Sequence, residues 1–112
     1  MIPRNERVNG QRVRCFDSGP NRGADRYTVV YLDEWRHQSS YGCGSGDCKD
    51  CYGPRLYQYL GMNDLPFHPS YGIAQHGECV IGRHLGKRIA FANLPEDCRR
   101  AIEQDCMMEV SA

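Results

Sequence analysis

The 112-residue chain has no net charge, few aliphatic side chains, only two lysines and no familiar catalytic signature. Its 14 basic and 14 acidic residues cancel. This removes the cationic surplus that non-specific phosphate binding draws on, and also the self-repulsion that keeps weakly hydrophobic chains open. Leu, Ile, Val and Phe make up less than a fifth of the residues, so the core of this single domain must be small and filled in part by seven tyrosines and seven cysteines. No run approaches the roughly 18 apolar residues of a membrane span, and MIPRNERVNG lacks the apolar centre of a signal peptide. A cytoplasmic protein with no membrane partner is expected. The odd cysteine count, at a density below that of secreted disulfide scaffolds, points to a reducing compartment and to cysteines used as thiols or metal ligands. No G-x-S-x-G, H-E-x-x-H or P-loop pattern occurs, so no enzyme is expected and no catalytic residue is assigned.

What the chain does have is short β-type segments cut by Gly and Pro. Gln11–Phe16 alternates Val13 and Cys15 with Arg12 and Arg14, the pattern of a half-buried strand. Residues 17–23 (DSGPNRG) read as a loop, and RYTVVYL at 26–32, β-branched and aromatic, reads as the strongest strand, so the two segments form a hairpin. RLYQYLGM at 55–62, a brief apolar strand at 79–81 and HLGKRIAF at 84–91 complete the expected sheet. Leu94-Pro95-Glu96-Asp97 opens a helix, with Pro tolerated in the first turn and acids favoured by the dipole. Cys98, Ala101, Ile102 and Cys106 form its narrow apolar stripe. The spacing predicts an α+β fold, a small twisted antiparallel sheet covered on one face by a C-terminal amphipathic helix. Residues 1–10 are expected to be a flexible N-terminus, and 11–112 one domain with a Gly/Cys-rich loop at 33–53.

That loop carries the most chemistry. Cys43-x4-Cys48-x2-Cys51 puts three thiols within nine residues of Gly-rich chain, and a closed tetrahedral zinc site needs one ligand more. Cys79 is the expected fourth ligand, with His37 as the alternative. The same spacing followed by a distant cysteine also fits a plant-type [2Fe–2S] ferredoxin, although this chain is neutral where such carriers are acidic. Cys15, Cys98 and Cys106 fall on apolar faces and read as core. Arg supplies 12 of the 14 cations and is suited to planar, bidentate and stacked contacts. Arg26, Tyr27, Trp35, Arg36 and Arg55 are therefore the expected partner-binding residues. Asp25, which accepts backbone donors in its turn, and His68, His76 and His84 are expected to be structural or interfacial.

Several segments together, CFD at 15–17, DRYTVVY at 25–31, YLGM at 59–62, PFHP at 66–69, QHGE at 75–78, HLGKRI at 84–89 and LPEDC at 94–98, resemble a family of small proteins encoded by bacteriophages and mobile elements. The resemblance spans most of residues 15–106 and carries no assigned activity, and the 43–51 cysteines are not part of its pattern. It implies a bacterial host cytoplasm and a non-enzymatic accessory protein that binds and inhibits a host protein, such as an anti-CRISPR-type inhibitor of a defence nuclease complex. A zinc-stabilised nucleic-acid-binding module and a ferredoxin-like carrier are the alternatives, with nucleic acid not expected as the sole partner.

Protein purified without chelator is expected to be colourless and to hold about one zinc per chain, as a closed four-ligand site requires. Elemental analysis checks this. Absence of metal with freely reactive thiols at 43–51 would remove the zinc site, and iron with visible absorption would replace it by a cluster.

Overall fold

The alternation at residues 11–17 and the β-branched run after residue 26 pair with each other at the centre of the sheet. In the computed structural model, which describes residues 6–19, 26–37 and 55–110, β2 (Gln11–Asp17) and β3 (Tyr27–His37) are antiparallel, with Val13 opposite Tyr31 and Cys15 opposite Val29. β4 (Arg55–Met62) follows on β3 and β5 (Ala74–Cys79) on β4. The outer edge of β2 is shared by β1 (Glu6–Val8), opposite residues 11–13, and β6 (Lys87–Ile89), opposite residues 15–17. One helix, α1 (Glu96–Val110), ends the described chain. The architecture is α+β, an antiparallel sheet with one C-terminal helix.

Side chains alternate along strands and cross-strand partners share a face, so the register sorts the sequence into two sets. Val13, Cys15, Val29, Tyr31, Leu60 and Met62 are buried in one cluster with Leu94, Cys98, Ala101, Ile102 and Cys106. Phe16, Val30, Leu32 and Leu85 form a smaller cluster on the other face, with Tyr57, Tyr59, Cys79 and Ile81 packed against it. The aliphatic side chains are concentrated on the helix side, where most of the transfer free energy is gained.

Four boundaries differ from the sequence reading. Residues 6–8, expected in a flexible leader, form β1 because Asn9 and Gly10 both adopt positive φ (50° and 87°) and close a two-residue hairpin. β3 runs on to His37 past a bulge between Tyr31 and Trp35, which takes 33–37 out of the expected loop. β5 covers 74–79, not 79–81. The expected strand at 84–91 is divided into a 3-10 turn at Arg83–Leu85, β6, and a second 3-10 turn at Phe91–Asn93. Gly86, at φ 99°, makes the first break.

Ile102 is fully buried. Ile102→Ala is expected to cost about 2–5 kcal/mol in urea unfolding, and a loss of only a few tenths would show that α1 adds little to this core.

Candidate functional site

The expected metal ligands Cys43, Cys48 and Cys51, and the turn residue Asp25, lie outside the described residues. Cys79 sits on β5 opposite Tyr57, half-buried, and burial pushes its thiol above the ordinary range. His37, the alternative ligand, is the last residue of β3 and pairs with Arg55. Among the described residues no three His, Cys, Asp or Glu side chains converge on a possible metal position. Cys15 and Cys98 are buried thiols pushed up to about 12, chiefly by desolvation, and Cys98 Sγ donates to Asn63 O at 3.2 Å. Neither has thiolate character.

The histidines are separated from one another. His68 Nδ1 accepts the backbone N–H groups of Ser70 and Tyr71, both at 3.0 Å, and its ring packs against Tyr71. His76 Nε2 lies 2.9 Å from Asp105 Oδ1, while the other carboxylate oxygen of Asp105 accepts from the hydroxyl of Tyr31. This network ties β5 and β3 to α1. His84 is exposed in the 3-10 turn.

The expected partner-contacting residues also part company. Tyr27 is buried at 7% exposure, and its ring belongs to the helix-side core instead of a surface. Arg26 holds Asp17 at 3.1 Å and lies 5.0 Å from the Tyr27 ring. Arg36 grips Glu78 with two hydrogen bonds, at 2.7 and 2.9 Å. Trp35 and Arg55 come together, the guanidinium 4.1 Å from the indole centroid.

That stack belongs to a larger arrangement on the face that carries no helix among the described residues. Register places Arg7, Arg12, Arg14, Phe16 and Arg88 on this face of β1, β2 and β6. Thr28, Val30, Trp35, Arg55, Tyr57 and Tyr59 continue it across β3 and β4. Apart from the bulge at 32–34, every charged residue at a strand position here is Arg. Glu6, Asp17 and Glu78 all fall on the helix side. Of the bulge acids, Asp33 holds Arg12 at 2.6 Å and Glu34 accepts from Gln11 at 2.9 Å. Arg7 stands directly opposite Arg12, and Asp33, bound to Arg12 and attracted by Arg7, offsets the like-charge repulsion between them. The Nε of Arg14 is buried with no hydrogen-bond partner, which costs stability.

A pocket of about 460 Å³ opens on this face, bounded by Ser18, Thr28, Tyr59, Cys79, His84 and Leu85, with Glu78, whose carboxylate Arg36 holds, also at its wall. Gly77 makes room for one wall, since a Cβ there would come within 2.8 Å of the Tyr59 ring. The residues sequence reasoning missed are Arg7, Arg14 and Arg88. The signal for Arg14 was present, because Arg12 and Arg14 alternate against Val13 and Cys15. Arg7 and Arg88 needed the hairpin register, which no local pattern supplies.

Hydrogen bonding to Arg12 holds the Asp33 carboxyl below its usual range, and Arg36 does the same for Glu78. A carboxylate depressed in the folded state contributes stability that is full above its unfolded pKa and is lost as pH falls through the folded value. Melting temperature is therefore expected to fall as pH drops below the ordinary Glu value of 4.5. In Arg36→Met the part of that fall due to Glu78 should disappear. An equally steep fall in the variant would show that the pair is neutral. Both groups are largely exposed, so the difference is small and shrinks with added salt.

No family model, curated protein or solved structure matches the chain.

Proposed function

We propose that the protein is non-enzymatic and works by binding a single-stranded nucleic acid along the helix-free face of its sheet, with α1 serving as an amphipathic cover over the opposite face. The observation that carries this is the Arg-only charge of that face, interleaved with Trp35, Tyr57 and Tyr59. A nucleic-acid strand offers both complements at once, phosphates for the guanidiniums and π-faces for the aromatic rings. The chain's neutrality does not oppose this, because among the described strand residues Glu6 and Asp17 lie on the other side, and the bulge acid Asp33 pairs with Arg12 while Arg14 and Arg88 have no acid opposite them in register. The zinc site at Cys43, Cys48 and Cys51 stays part of the proposal as a stabilising element, with the alternative ligand His37 in place of Cys79, whose thiol is left free.

A second reading, inhibition of a host protein by a phage or mobile-element accessory protein in a bacterial cytoplasm, rests on a different surface. The β4–β5 connection exposes Leu65, Phe67 and Tyr71, yet it is held by three Asn63 side-chain hydrogen bonds and by His68 Nδ1. Apolar side chains on a pre-organised loop suit a protein partner, and a defence nuclease complex would offer protein and nucleic acid together.

Fluorescence anisotropy with short labelled single strands tests the first reading. Affinity is expected to fall with salt, and Arg14→Ala or Arg55→Ala should weaken binding to all sequences and reduce the logarithmic salt slope by about 0.7 each. No binding at low salt, with a host protein captured by wild type but lost in Phe67→Ser, would replace the first reading by the second.

A further inference from the structure

We infer that the pocket bounded by Thr28, Tyr59, Cys79, His84 and Leu85 receives one unstacked nucleobase of the bound strand, an inference that rests on the nucleic-acid reading of the face. Three observations converge on it. Its volume, about 460 Å³, lies within the roughly 300–1,000 Å³ of small-ligand sites. Its described lining holds no Lys or Arg, and the carboxylate of Glu78, which does line it, is already gripped by Arg36. A neutral planar heterocycle with polar edges fits such walls, whereas a phosphate finds no cation in them and an ammonium would have to compete with Arg36 for Glu78. The third observation is the position of the cations. Register runs in rows from Arg14 through Val30 to Tyr59, and from Arg88 through Phe16 to Thr28. Each Arg is therefore two strands, about 10 Å, from the pocket wall. That arrangement sets phosphate contacts beside the cavity and leaves the cavity to the base.

Within the pocket the Tyr59 ring gives a stacking wall, Leu85 an apolar floor, and the Thr28 hydroxyl and the exposed His84 ring the groups that reach a base edge. Preference among bases comes from these two, since stacking is tolerant of sequence.

The test uses full-length protein and three probes of equal length: a thymidine oligonucleotide, an adenosine oligonucleotide, and an abasic deoxyribose-phosphate strand. Wild type is expected to bind at least one base-bearing strand about fivefold or more tighter than the abasic strand. His84→Ala and Thr28→Val should shrink that ratio and the difference between bases while leaving abasic binding unchanged. Arg14→Ala should weaken all three alike. Because Cys79 lines the cavity and is half-buried, its alkylation in wild type, read by mass spectrometry, is expected to slow with the preferred base-bearing strand and not with the abasic one. Strand binding that shows neither a base-dependent ratio nor Cys79 protection overturns the pocket while leaving the face intact. Failure of all three probes to bind overturns the nucleic-acid reading itself.

Discussion

The shortage of aliphatic side chains governs this structure. A sheet has two faces, and here the apolar residues suffice to make only one of them thoroughly dry. Val13, Val29, Leu60, Met62 and Ile102 go to the helix side. The other face receives Phe16, Val30, Leu32 and Leu85, and is finished with tyrosine rings and the stems of arginines. Long cationic side chains cover apolar surface while keeping their heads in water, so the composition that limits the core also produces a face of guanidiniums. Stability and binding chemistry are in this sense one constraint.

Because one helix carries so much of the core, the contacts that place it matter out of proportion to their number. The Tyr31–Asp105–His76 network fixes α1 against strands on either side of β4. Cys98 adds a thiol hydrogen bond to Asn63, and Asn63 also organises the β4–β5 loop. Gly72 belongs to the same unit, since a Cβ there would meet His68 O at 2.5 Å. The loop that exposes Phe67 and Tyr71 is therefore coupled to helix packing, and its aromatic tip is rigid for a physical reason.

Much of the fold was legible because its signals are local. The RLYQYLGM strand has its expected bounds, and the four residues of the helical stripe are all buried. The failures were of two kinds. The Asn9–Gly10 turn was visible as a dipeptide, but polar neighbours hid the short strand before it, which is held by pairing to β2 and not by its own composition. The extension of β3 to His37 depends on a bulge, and a bulge shifts side-chain parity in a way alternation counting cannot follow. Trp35 and Arg55 were singled out by residue type, whereas their stack required Trp35 to face Tyr57 across that bulge. Tyr27 went the other way, since the same aromatic preference that suggests an interface also fills an aliphatic-poor core.

Net charge was the most misleading quantity in the sequence. Summed along the chain it is zero. The register redistributes it, placing Arg7, Arg12, Arg14, Arg88 and Arg55 on the helix-free face against the bulge acid Asp33, and Glu6 and Asp17 behind the sheet with Lys87 and the Arg36–Glu78 pair, while α1 carries Glu96, Asp97, Glu103 and Asp105 against Arg99 and Arg100. Within a Debye length of about 8–10 Å an approaching polymer senses the near face more strongly than the far one. A neutral protein built this way does not attract polyanions indiscriminately, since in the wrong orientation it presents acids. It orients them, and only the face with aromatic rings and a pocket can hold the strand that has been attracted.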